Sequence, residues 1–319
     1  MRTLRLAMAQ TNPTVGDVYD NTRSILEYID RARELRADIV VFPELAIPGY
    51  PPEDLLFHSG MRSRIAQAVE TIRTTVKGTA VMFGYPEYDG DCIYNSAVIF
   101  KKGEILAKYR KCLLPNYRVF DEKRYFVSGK GPTVFKLNGI RLGMNICEDV
   151  WKSQPAAASR AAGAEAIIAI NGSPYEFESQ AKREHVVGRR VQEIRIPAVY
   201  LNMVGGQDEL VFDGGSVAID AKGRTSMRAP AFEEGIFLVE VERRSNNICL
   251  REQELAPVLS TEEAVYKALV SGTRDYVNKN GFKSVVLGLS GGIDSALTLC
   301  VAVDALGADR VRTVMMPSR

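Results

Sequence analysis

The stretch RLGMNICEDVW (Arg141–Trp151) shows most directly which class of fold this chain adopts. Its apolar first half, which ends at Cys147, is typical of a buried strand, and its acidic and apolar second half is typical of a helix start. The same order of elements continues downstream, with a strand at Ala166–Ile170, a helix from Glu178 to Arg195 and a strand at Ala198–Val204. This alternation predicts an α/β protein.

The segments on either side extend the pattern. Upstream, apolar runs and helical periodicity alternate through Leu4–Ala9, Asn21–Arg36, Asp38–Pro43, Met61–Lys77 and Thr79–Gly84. Further pieces are strand-like and joined by polar turns, namely Tyr94–Phe100, Glu104–Tyr109, Ser216–Asp220 and Ile236–Val241. Helices followed by pairs of strands indicate two mixed sheets packed face to face, with helices on the outside.

A second unit is predicted after the polar, aperiodic stretch ERRSNN (242–247). The predicted division is a first domain at 1–245, a linker at 246–260 and a second domain at 261–319. Ser260 and Glu263 form a capping-box pattern at the start of a helix that reaches residue 280. A strand at 284–289, a helix at 293–306 and a strand at 311–316 then make one βαβ unit of a parallel sheet. Such a unit alone leaves sheet faces and an edge exposed.

The loop of this unit, LSGGIDS (Leu289–Ser295), has the composition of a phosphate-binding turn. Gly291 and Gly292 permit backbone conformations in which successive N–H groups surround an anion. The following helix adds its N-terminal dipole, and Ser290 and Ser295 add hydroxyl donors. The loop lacks the G-K-[ST] ending of a Walker A motif.

Composition excludes several classes of function. The chain has 319 residues, 46% of them hydrophobic and 25% charged, with a net charge of +2, so it has no electrostatic signature of nucleic-acid or membrane binding. It has no 18-residue apolar run and no signal-peptide pattern, so a cytoplasmic protein is expected. Its five cysteines are widely spaced and only two histidines are present, which disfavours a zinc site or a disulfide framework. Cys92, Cys112, Cys249 and Cys300 are expected to be small packing residues.

Three residues in three segments combine into a catalytic set. Cys147 is placed at a strand-to-helix turn, where a nucleophile is held exposed and a helix N-terminus favours a thiolate. Glu44 follows a buried strand in FPELAIPGYP (42–51), and Lys111 is in KYRKCLLPNYRVFDEKRY (108–125). A cysteine nucleophile needs a base and an oxyanion stabiliser, which these two side chains supply without a histidine. The competing interpretations are a buried cysteine, a helix-capping glutamate and a solvated lysine.

FPELAIPGY, YRKCLLPNY and NICEDVW occur in the order found in the nitrilase superfamily, and residues 1–245 resemble it. Members of that superfamily hydrolyse amides and nitriles with a Glu–Lys–Cys triad. The resemblance implies that Glu44 is the general base, Lys111 the transition-state stabiliser and Cys147 the nucleophile that forms a thioester. It also implies an αββα four-layer sandwich.

The segment LPNYRVFDEKRYF further resembles the glutaminase domain of glutamine-dependent NAD synthetases. The resemblance implies a set of contacts to L-glutamine, formed by Tyr117, Glu148, Trp151, Ser173 and Ser179. Ser179 is a departure, because the family commonly has a basic residue there for the substrate carboxylate. Lys182 or Arg183 is expected to replace that contact, and the sequence leaves open which.

LSGGIDS resembles the pyrophosphate loop of ATP pyrophosphatases, which adenylate a carbonyl oxygen. The resemblance implies ATP contacts from Ser290, Gly291, Gly292, Asp294 and Ser295. Asp294 is either a ligand of the Mg²⁺ that accompanies ATP or a helix-start carboxylate that stabilises the dipole. The predicted fold is therefore the nitrilase sandwich followed by the first βαβ unit of a parallel-sheet ATP-pyrophosphatase domain.

Together the two resemblances imply glutamine-dependent NAD synthesis. Ammonia from glutamine would pass internally to a site where ATP adenylates nicotinic acid adenine dinucleotide, which is then amidated to NAD. Because the loop lies close to Arg319, we expect the chain by itself to hydrolyse glutamine at most and to make no NAD. Assembly into a homo-oligomer is expected by analogy with nitrilase-like domains.

Two other functions fit the same residues. The protein could be a stand-alone nitrilase-family amidase or carbamoylase with 260–319 as an oligomerisation element. It could also be a non-catalytic assembly module that needs a partner synthetase. Substrate preference separates the first from a glutaminase, and stimulation of glutamate release by an added synthetase separates the second.

Overall fold

The computed structural model of the protein describes residues 3–245 and 247–316. Strands and helices alternate in that part of the chain and are numbered in chain order. The strands are β1 (Thr3–Gln10), β2 (Ile39–Val41), β3 (Ala80–Asp89), β4 (Cys92–Lys101), β5 (Glu104–Arg110), β6 (Thr133–Leu137), β7 (Ile140–Ile146), β8 (Ala166–Asn171), β9 (Ala198–Asn202), β10 (Val204–Gln207), β11 (Leu210–Asp213), β12 (Val217–Ile219), β13 (Thr225–Arg228), β14 (Gly235–Arg244), β15 (Asn247–Leu250), β16 (Val285–Leu289) and β17 (Val311–Met315).

The helices cover one side of each large sheet or connect its strands. They are α1 (Val18–Glu34), α2 (Ser59–Thr75), α3 (Glu122–Tyr125), α4 (Glu148–Trp151), α5 (Ser153–Ala161), α6 (Ser179–Ile194), α7 (Thr261–Lys279) and α8 (Ile293–Leu306). Helix α1 begins three residues before the predicted start because the Asp17 carboxylate accepts a hydrogen bond from the Asp20 N–H at 3.1 Å.

Two mixed sheets form the body of the first unit. One has seven strands in the order β15-β14-β1-β2-β3-β4-β5, and the other has six in the order β13-β12-β9-β8-β7-β6. Apolar side chains from both sheets share one buried core, with Leu6 and Met8 from β1 and Met144 and Ile146 from β7 among its members. The outer face of the first sheet packs on α1 and α2, and that of the second packs on α5 and α6. The predicted αββα sandwich is confirmed.

The described residues of the polar stretch, 242–245 and 247, belong to the first unit, and residue 246 lies outside the described residues. Strand β14 extends to Arg244, and β15 pairs antiparallel with it, so that Val241 is opposite Leu250. The chain then follows the edge of the second sheet, where the Gln253 N–H donates to the carbonyl of Ser226. Most of the stretch predicted as linker therefore packs on the sandwich, because alternate apolar residues at 248 and 250 join the shared core.

Residues 261–316 form the predicted βαβ unit. The Ser260 hydroxyl caps α7 by accepting from the Glu263 N–H at 3.2 Å, and β16 pairs in parallel with β17. Within the described residues this sheet has two strands, and Val286, on β16, is 70% exposed. Cys300, on α8, is exposed, contrary to the prediction of a packing role, whereas the three other packing cysteines are half-buried.

No helix in residues 3–245 and 247–316 is both long and apolar enough to cross a bilayer.

Candidate active site

Cys147 occupies a sharp turn between β7 and α4. Its φ and ψ angles are 45° and −103°, and its side chain is 4% exposed. A non-glycine residue at positive φ costs about 1–3 kcal/mol and persists only where the surroundings enforce it. Here the Cys147 N–H donates to the carbonyl of Ile170 at 3.0 Å, on the neighbouring strand β8. The strand-to-helix turn predicted from RLGMNICEDVW is therefore present and strained at the cysteine. The expectation that it holds the side chain exposed is wrong, because the chain packs over the turn and buries Cys147.

Glu44 and Lys111 meet inside the molecule although they are far apart in sequence. Glu44 follows β2 and Lys111 follows β5, and both side chains are fully buried. The Lys111 ammonium donates to Glu44 Oε1 at 2.7 Å and to Glu122 Oε1 at 2.8 Å. A buried charge is stable only when it is paired and hydrogen-bonded, and this ammonium has two carboxylate partners.

The Glu44 carboxylate is held on both of its oxygens. Asn95 Nδ2 donates to Oε1 at 2.7 Å, and the Gly172 N–H donates to Oε2 at 2.9 Å. Close packing fixes its backbone as well, because a Cβ on Gly84 of β3 would lie 2.4 Å from the nitrogen of Leu45. These contacts preorganise the carboxylate and leave its side chain little rotational freedom.

Glu122 is a site residue that the sequence did not indicate. It sits at the start of α3, inside the quoted segment 108–125, and its Oε1 also accepts from the Tyr50 hydroxyl at 3.1 Å. Tyr50 lies within the quoted segment 42–51 and is 3% exposed. Only their position inside the two quoted segments could have pointed to them, because Tyr50 and Glu122 are 72 residues apart and meet only in the fold.

Burial and charge set the protonation of the site. Burial would lower the pKa of Lys111, but the carboxylates of Glu122 and Glu44 outweigh it and raise that pKa well above its ordinary value. Burial, followed by the charge of Glu44, raises the pKa of the Cys147 thiol well above its usual range. The expectation that a helix start favours the thiolate is therefore wrong, since α4 is only four residues long and desolvation dominates. Burial raises the pKa of Glu122 to about 7.

Asp149 connects the cysteine turn to the lysine loop. Its carboxylate accepts from the Tyr109 hydroxyl at 2.8 Å, from the Ile146 N–H at 3.1 Å and from the Leu113 N–H at 2.9 Å. Burial raises the pKa of Asp149 to about 6. The carboxylate thus holds β5, the segment after Lys111 and the Cys147 turn in one arrangement.

A cavity of about 510 Å³ opens beside Cys147. Its walls contain the five residues predicted to contact glutamine, which are Tyr117, Glu148, Trp151, Ser173 and Ser179. The Tyr117 hydroxyl donates to Glu148 Oε2 at 2.8 Å, on the side of the cavity next to the cysteine. The structure therefore gathers the predicted set around a single space, and it adds the charged side chains of Arg118, Glu176, Lys182 and Glu209 to the walls.

The two basic residues left open by the sequence differ in their surroundings. Arg183 is 1% exposed, and its guanidinium is held by Asp213 at 2.7 Å, away from the cavity wall. Lys182 lines the cavity and donates to the carbonyl of Phe177 at 3.1 Å. Ser179 Oγ donates to Asp213 Oδ2 at 3.0 Å. Lys182 is thus the candidate that can reach a ligand in the cavity.

The predicted ATP loop lies at the exposed start of α8. Gly291 has a φ of +88°, as expected for a turn that only glycine adopts easily, whereas Gly292 has a φ of −83° and needs no glycine. Ser295 Oγ donates to the Gly292 carbonyl at 2.9 Å and lies 3.3 Å from Ser290 Oγ. Asp294 is exposed in the first turn of α8. Across 3–245 and 247–316, no group of three or more His, Cys, Asp or Glu side chains is arranged to hold a metal ion.

Two protein families match this chain, one after the other along the sequence. The carbon-nitrogen hydrolase family matches residues 5–246 and the NAD synthase family matches residues 265–319. A glutamine-dependent NAD(+) synthetase of Xylella fastidiosa is 45% identical over 99% of this chain, which covers 58% of that protein. The chain thus spans less than two thirds of the curated relative's length.

Two solved structures are similar. Glutamine-dependent NAD+ synthetase from Acinetobacter baumannii, in complex with ADP, is 40% identical with a TM-score of 0.95 over 99% of this chain and 60% of that one. A glutamate-to-glutamine mutant of the Nesterenkonia sp. AN1 amidase shows the acetamide moiety of fluoroacetamide added covalently at its active-site cysteine. It is 26% identical with a TM-score of 0.69 over 74% of this chain and 89% of that one.

The predicted resemblance is thereby confirmed for the larger part of the chain. The matched span 5–246 contains the Cys147 turn, the buried Glu44–Lys111 pair and the cavity beside them. We conclude that this protein belongs to the carbon-nitrogen hydrolase family.

Proposed function

We propose that the protein hydrolyses the side-chain amide of L-glutamine and serves as the glutaminase part of a glutamine-dependent NAD synthetase. The observation that carries the proposal is a strained cysteine that lines a 510 Å³ cavity and whose thiol feels the charges of the buried Glu44–Lys111 pair. The printed names of the Xylella and Acinetobacter relatives support the choice of glutamine as the amide.

The reaction begins with a neutral thiol, because burial raises the pKa of Cys147. Cys147 Sγ attacks the carbonyl carbon of the glutamine side chain while its proton passes to Glu44. The tetrahedral oxyanion is stabilised by the Lys111 ammonium. Glu44 returns the proton to the leaving nitrogen, ammonia departs and a thioester to Cys147 remains. Water, deprotonated by Glu44, then attacks the thioester, and glutamate leaves as the thiol is regenerated.

The cavity walls provide groups for both ends of an amino-acid substrate. We assign the substrate carboxylate to Lys182, since Arg183 is committed to Asp213. The substrate ammonium is assigned to the acidic side of the cavity, where Glu148 accepts from the Tyr117 hydroxyl. Trp151, Ser173 and Ser179 complete the walls, and the apolar stem of glutamine packs between them.

The second half of the proposal concerns residues 261–319. ATP would bind at Ser290–Ser295 and adenylate the carboxylate of nicotinic acid adenine dinucleotide, with release of pyrophosphate. Ammonia would then displace AMP from the acyl adenylate to give NAD. Asp294 is the residue of this loop that would hold Mg²⁺, which would neutralise charge on the ATP phosphates. The division into 1–245, 246–260 and 261–319, a cytoplasmic location and a homo-oligomeric state remain parts of this proposal.

One other function has an observation in its favour. The similarity to the Nesterenkonia amidase supports a stand-alone amidase or carbamoylase. The cavity argues for glutamine, because its walls carry a cation as well as carboxylates, which a simple aliphatic amide does not need. A non-catalytic assembly module has less support, since a strained cysteine and a buried ion pair cost stability that an inert surface does not require.

The decisive experiment is glutamate release by Cys147→Ala. We expect a loss of about 10⁴-fold or more, as for removal of other nucleophiles. Cys249→Ala, a half-buried cysteine on β15, is the matched control and should keep its activity. Unchanged glutamate release by Cys147→Ala would refute the nucleophile, and a preference for short aliphatic amides over glutamine would favour the amidase.

A further inference from the structure

Helix α7 is joined to the first unit by a partly buried polar cluster. The Lys279 ammonium donates to Asn12 Oδ1 at 2.7 Å, to the Gly206 carbonyl at 2.8 Å and to the Pro13 carbonyl at 3.0 Å. The Asp275 carboxylate accepts from the Gly206 N–H at 2.6 Å and from Asn12 Nδ2 at 2.8 Å. Both polar groups of the Gly206 backbone are therefore bound by side chains of α7.

The two elements also fit closely in shape. A Cβ on Gly206 would lie 2.9 Å from the Cα of Gly272 on α7, and a Cβ on Gly272 would lie 3.1 Å from Val211. Asp275 is 5% exposed, so its charge is withdrawn from water at this contact. The hairpin formed by β10 and β11 (204–213) is thus held against α7 by charge-assisted hydrogen bonds and by direct backbone packing.

The same hairpin builds one wall of the cavity beside Cys147. Glu209 and Leu210, at its tip, line the cavity. The carbonyl of Val211 accepts from the Tyr175 N–H at 2.7 Å, and Asp213 accepts from Ser179 Oγ at 3.0 Å. A shift of the hairpin would therefore move the part of the cavity wall that Glu209 and Leu210 form.

A second contact leads from the hairpin to the lysine. The Phe212 ring packs edge-on against Tyr50, with centroids 6.0 Å apart and an interplanar angle of 86°. The Tyr50 hydroxyl donates to Glu122, which accepts from the Lys111 ammonium. The hairpin is therefore continuous with the groups that hold the buried cation.

We propose that Asp275 and Lys279 are positioning residues for the cavity beside Cys147, acting through the hairpin 204–213. The expected change in KM rests on the proposed glutaminase function. The expected change in the position of the cavity wall does not. Asp275 and Lys279 lie in the part of the chain that the NAD synthase family matches, residues 265–319. Under this proposal, α7 therefore affects how tightly the cavity beside Cys147 binds its substrate.

The test uses Lys279→Met in the 319-residue chain, with Lys267→Met as the matched control. Lys267 lies on the same helix but faces solvent, where it pairs with Glu263 at 3.4 Å. Four quantities are measured: the hydrogen-exchange rates of the Gly206 and Tyr175 amides, and KM and kcat for glutamine hydrolysis. For Lys279→Met we expect both amides to exchange at least about tenfold faster and KM to rise about fivefold or more, with a smaller change in kcat.

Lys267→Met should leave all four quantities unchanged. If Lys279→Met raises the Gly206 exchange rate but not the Tyr175 rate or KM, α7 merely docks and the proposal is overturned. Asp275→Asn keeps the side-chain shape and should raise the Gly206 and Tyr175 exchange rates and KM by less than Lys279→Met does. If Lys279→Met does not fold, Asp275→Asn tests the proposal in its place. If the unmodified chain released no glutamate, the proposed function would fail, whereas the Tyr175 exchange rate would still decide whether α7 sets the cavity wall.

Discussion

Lys111 and Lys182 show how differently two lysines of one site are used. Lys111 is fully buried between two carboxylates, which keep it charged, so it can stabilise an oxyanion but cannot follow a mobile substrate. Lys182 is exposed at the cavity, so it can reach a ligand through its flexible stem. We therefore assign Lys111 to the oxyanion of the reacting amide and Lys182 to binding of the substrate carboxylate.

Replacing Lys182 by methionine tests that recognition. A hydrogen bond to a charged group contributes about 1.5–3 kcal/mol, so KM for glutamine should rise roughly 10- to 100-fold with little change in kcat. Initial rates over a range of glutamine concentrations measure both constants. Lys222→Met, in an exposed turn far from the cavity, is the control. An unchanged KM for Lys182→Met would move the carboxylate contact to another residue.

Glu44, Lys111 and Cys147 could be predicted as candidate site residues from the sequence because each follows a strand-like segment. Glu122 could not be found this way, since a glutamate among Asp, Lys and Arg looks like a surface residue until the fold buries it. The sequence left Lys182 and Arg183 as alternatives, because the partner of Arg183, Asp213, is 30 residues away in the chain.

Among the elements, strands β3 and β5 are linked across β4 by a charge cluster around Glu87. Lys108 and Arg110 donate to this carboxylate at 2.6 and 2.7 Å, and Ser96 of β4 donates at 3.0 Å. Burial would raise the pKa of Glu87, but these hydrogen bonds outweigh it and lower the pKa to about 2. The ionised carboxylate is therefore favoured in the folded state.

Glu87→Gln should lower the free energy of unfolding near pH 7 by about 1–2 kcal/mol, a value reduced from the full pKa shift because both cations are partly exposed. Because the folded pKa lies below the ordinary value, this contribution is complete above about pH 4.5 and disappears as pH falls toward 2. Urea unfolding at pH 7 and at pH 3.5 measures the difference. Glu70→Gln, in an exposed pair with Arg73, should match the unmodified chain at both values. A pH-independent loss for Glu87→Gln would contradict the charge argument.

Helices and strands with a strong apolar periodicity were predicted correctly. Elements whose periodicity is interrupted by glycine or polar residues were missed. The strand at 166–171 and the helix at 293–306 agree closely with their sequence signals. The hairpin 204–213 was missed, because VGGQ has no alternation and its pairing is stabilised by α7 and by the Tyr175 contact. The strand at 247–250 was missed because its partner strand precedes it through a polar turn.

Over the whole molecule, burial is distributed unevenly. All six residues of β8 are buried in the middle of the six-stranded sheet. Strand β16 is only partly covered, and the buried residues of α8 are Val301, Ala302 and Ala305. Because local opening is easiest where few apolar contacts are lost, the two regions should differ in local stability.

Amide hydrogen exchange followed by mass spectrometry measures that difference. We expect the amides of β16 and of the first half of α8 to exchange at least about 100-fold faster than those of β8. Helix α7 should be intermediate, because Asp275 and Lys279 attach it to the sandwich. Equal amide exchange rates in β16 and β8 would contradict the prediction that β16 is the less stable strand.

The apolar periodicity and the short motifs were enough to predict the layers of the sandwich, the candidate set Glu44, Lys111 and Cys147, and the turn at 289–295. These are local properties, since strand, turn and helix preferences depend on neighbouring residues. The choice of Lys182 over Arg183, the second carboxylate on Lys111 and the attachment of α7 to the cavity wall became visible only in three dimensions. Each depends on which distant side chain shares a buried space, and the cost of burying an unpaired charge then decides the partner.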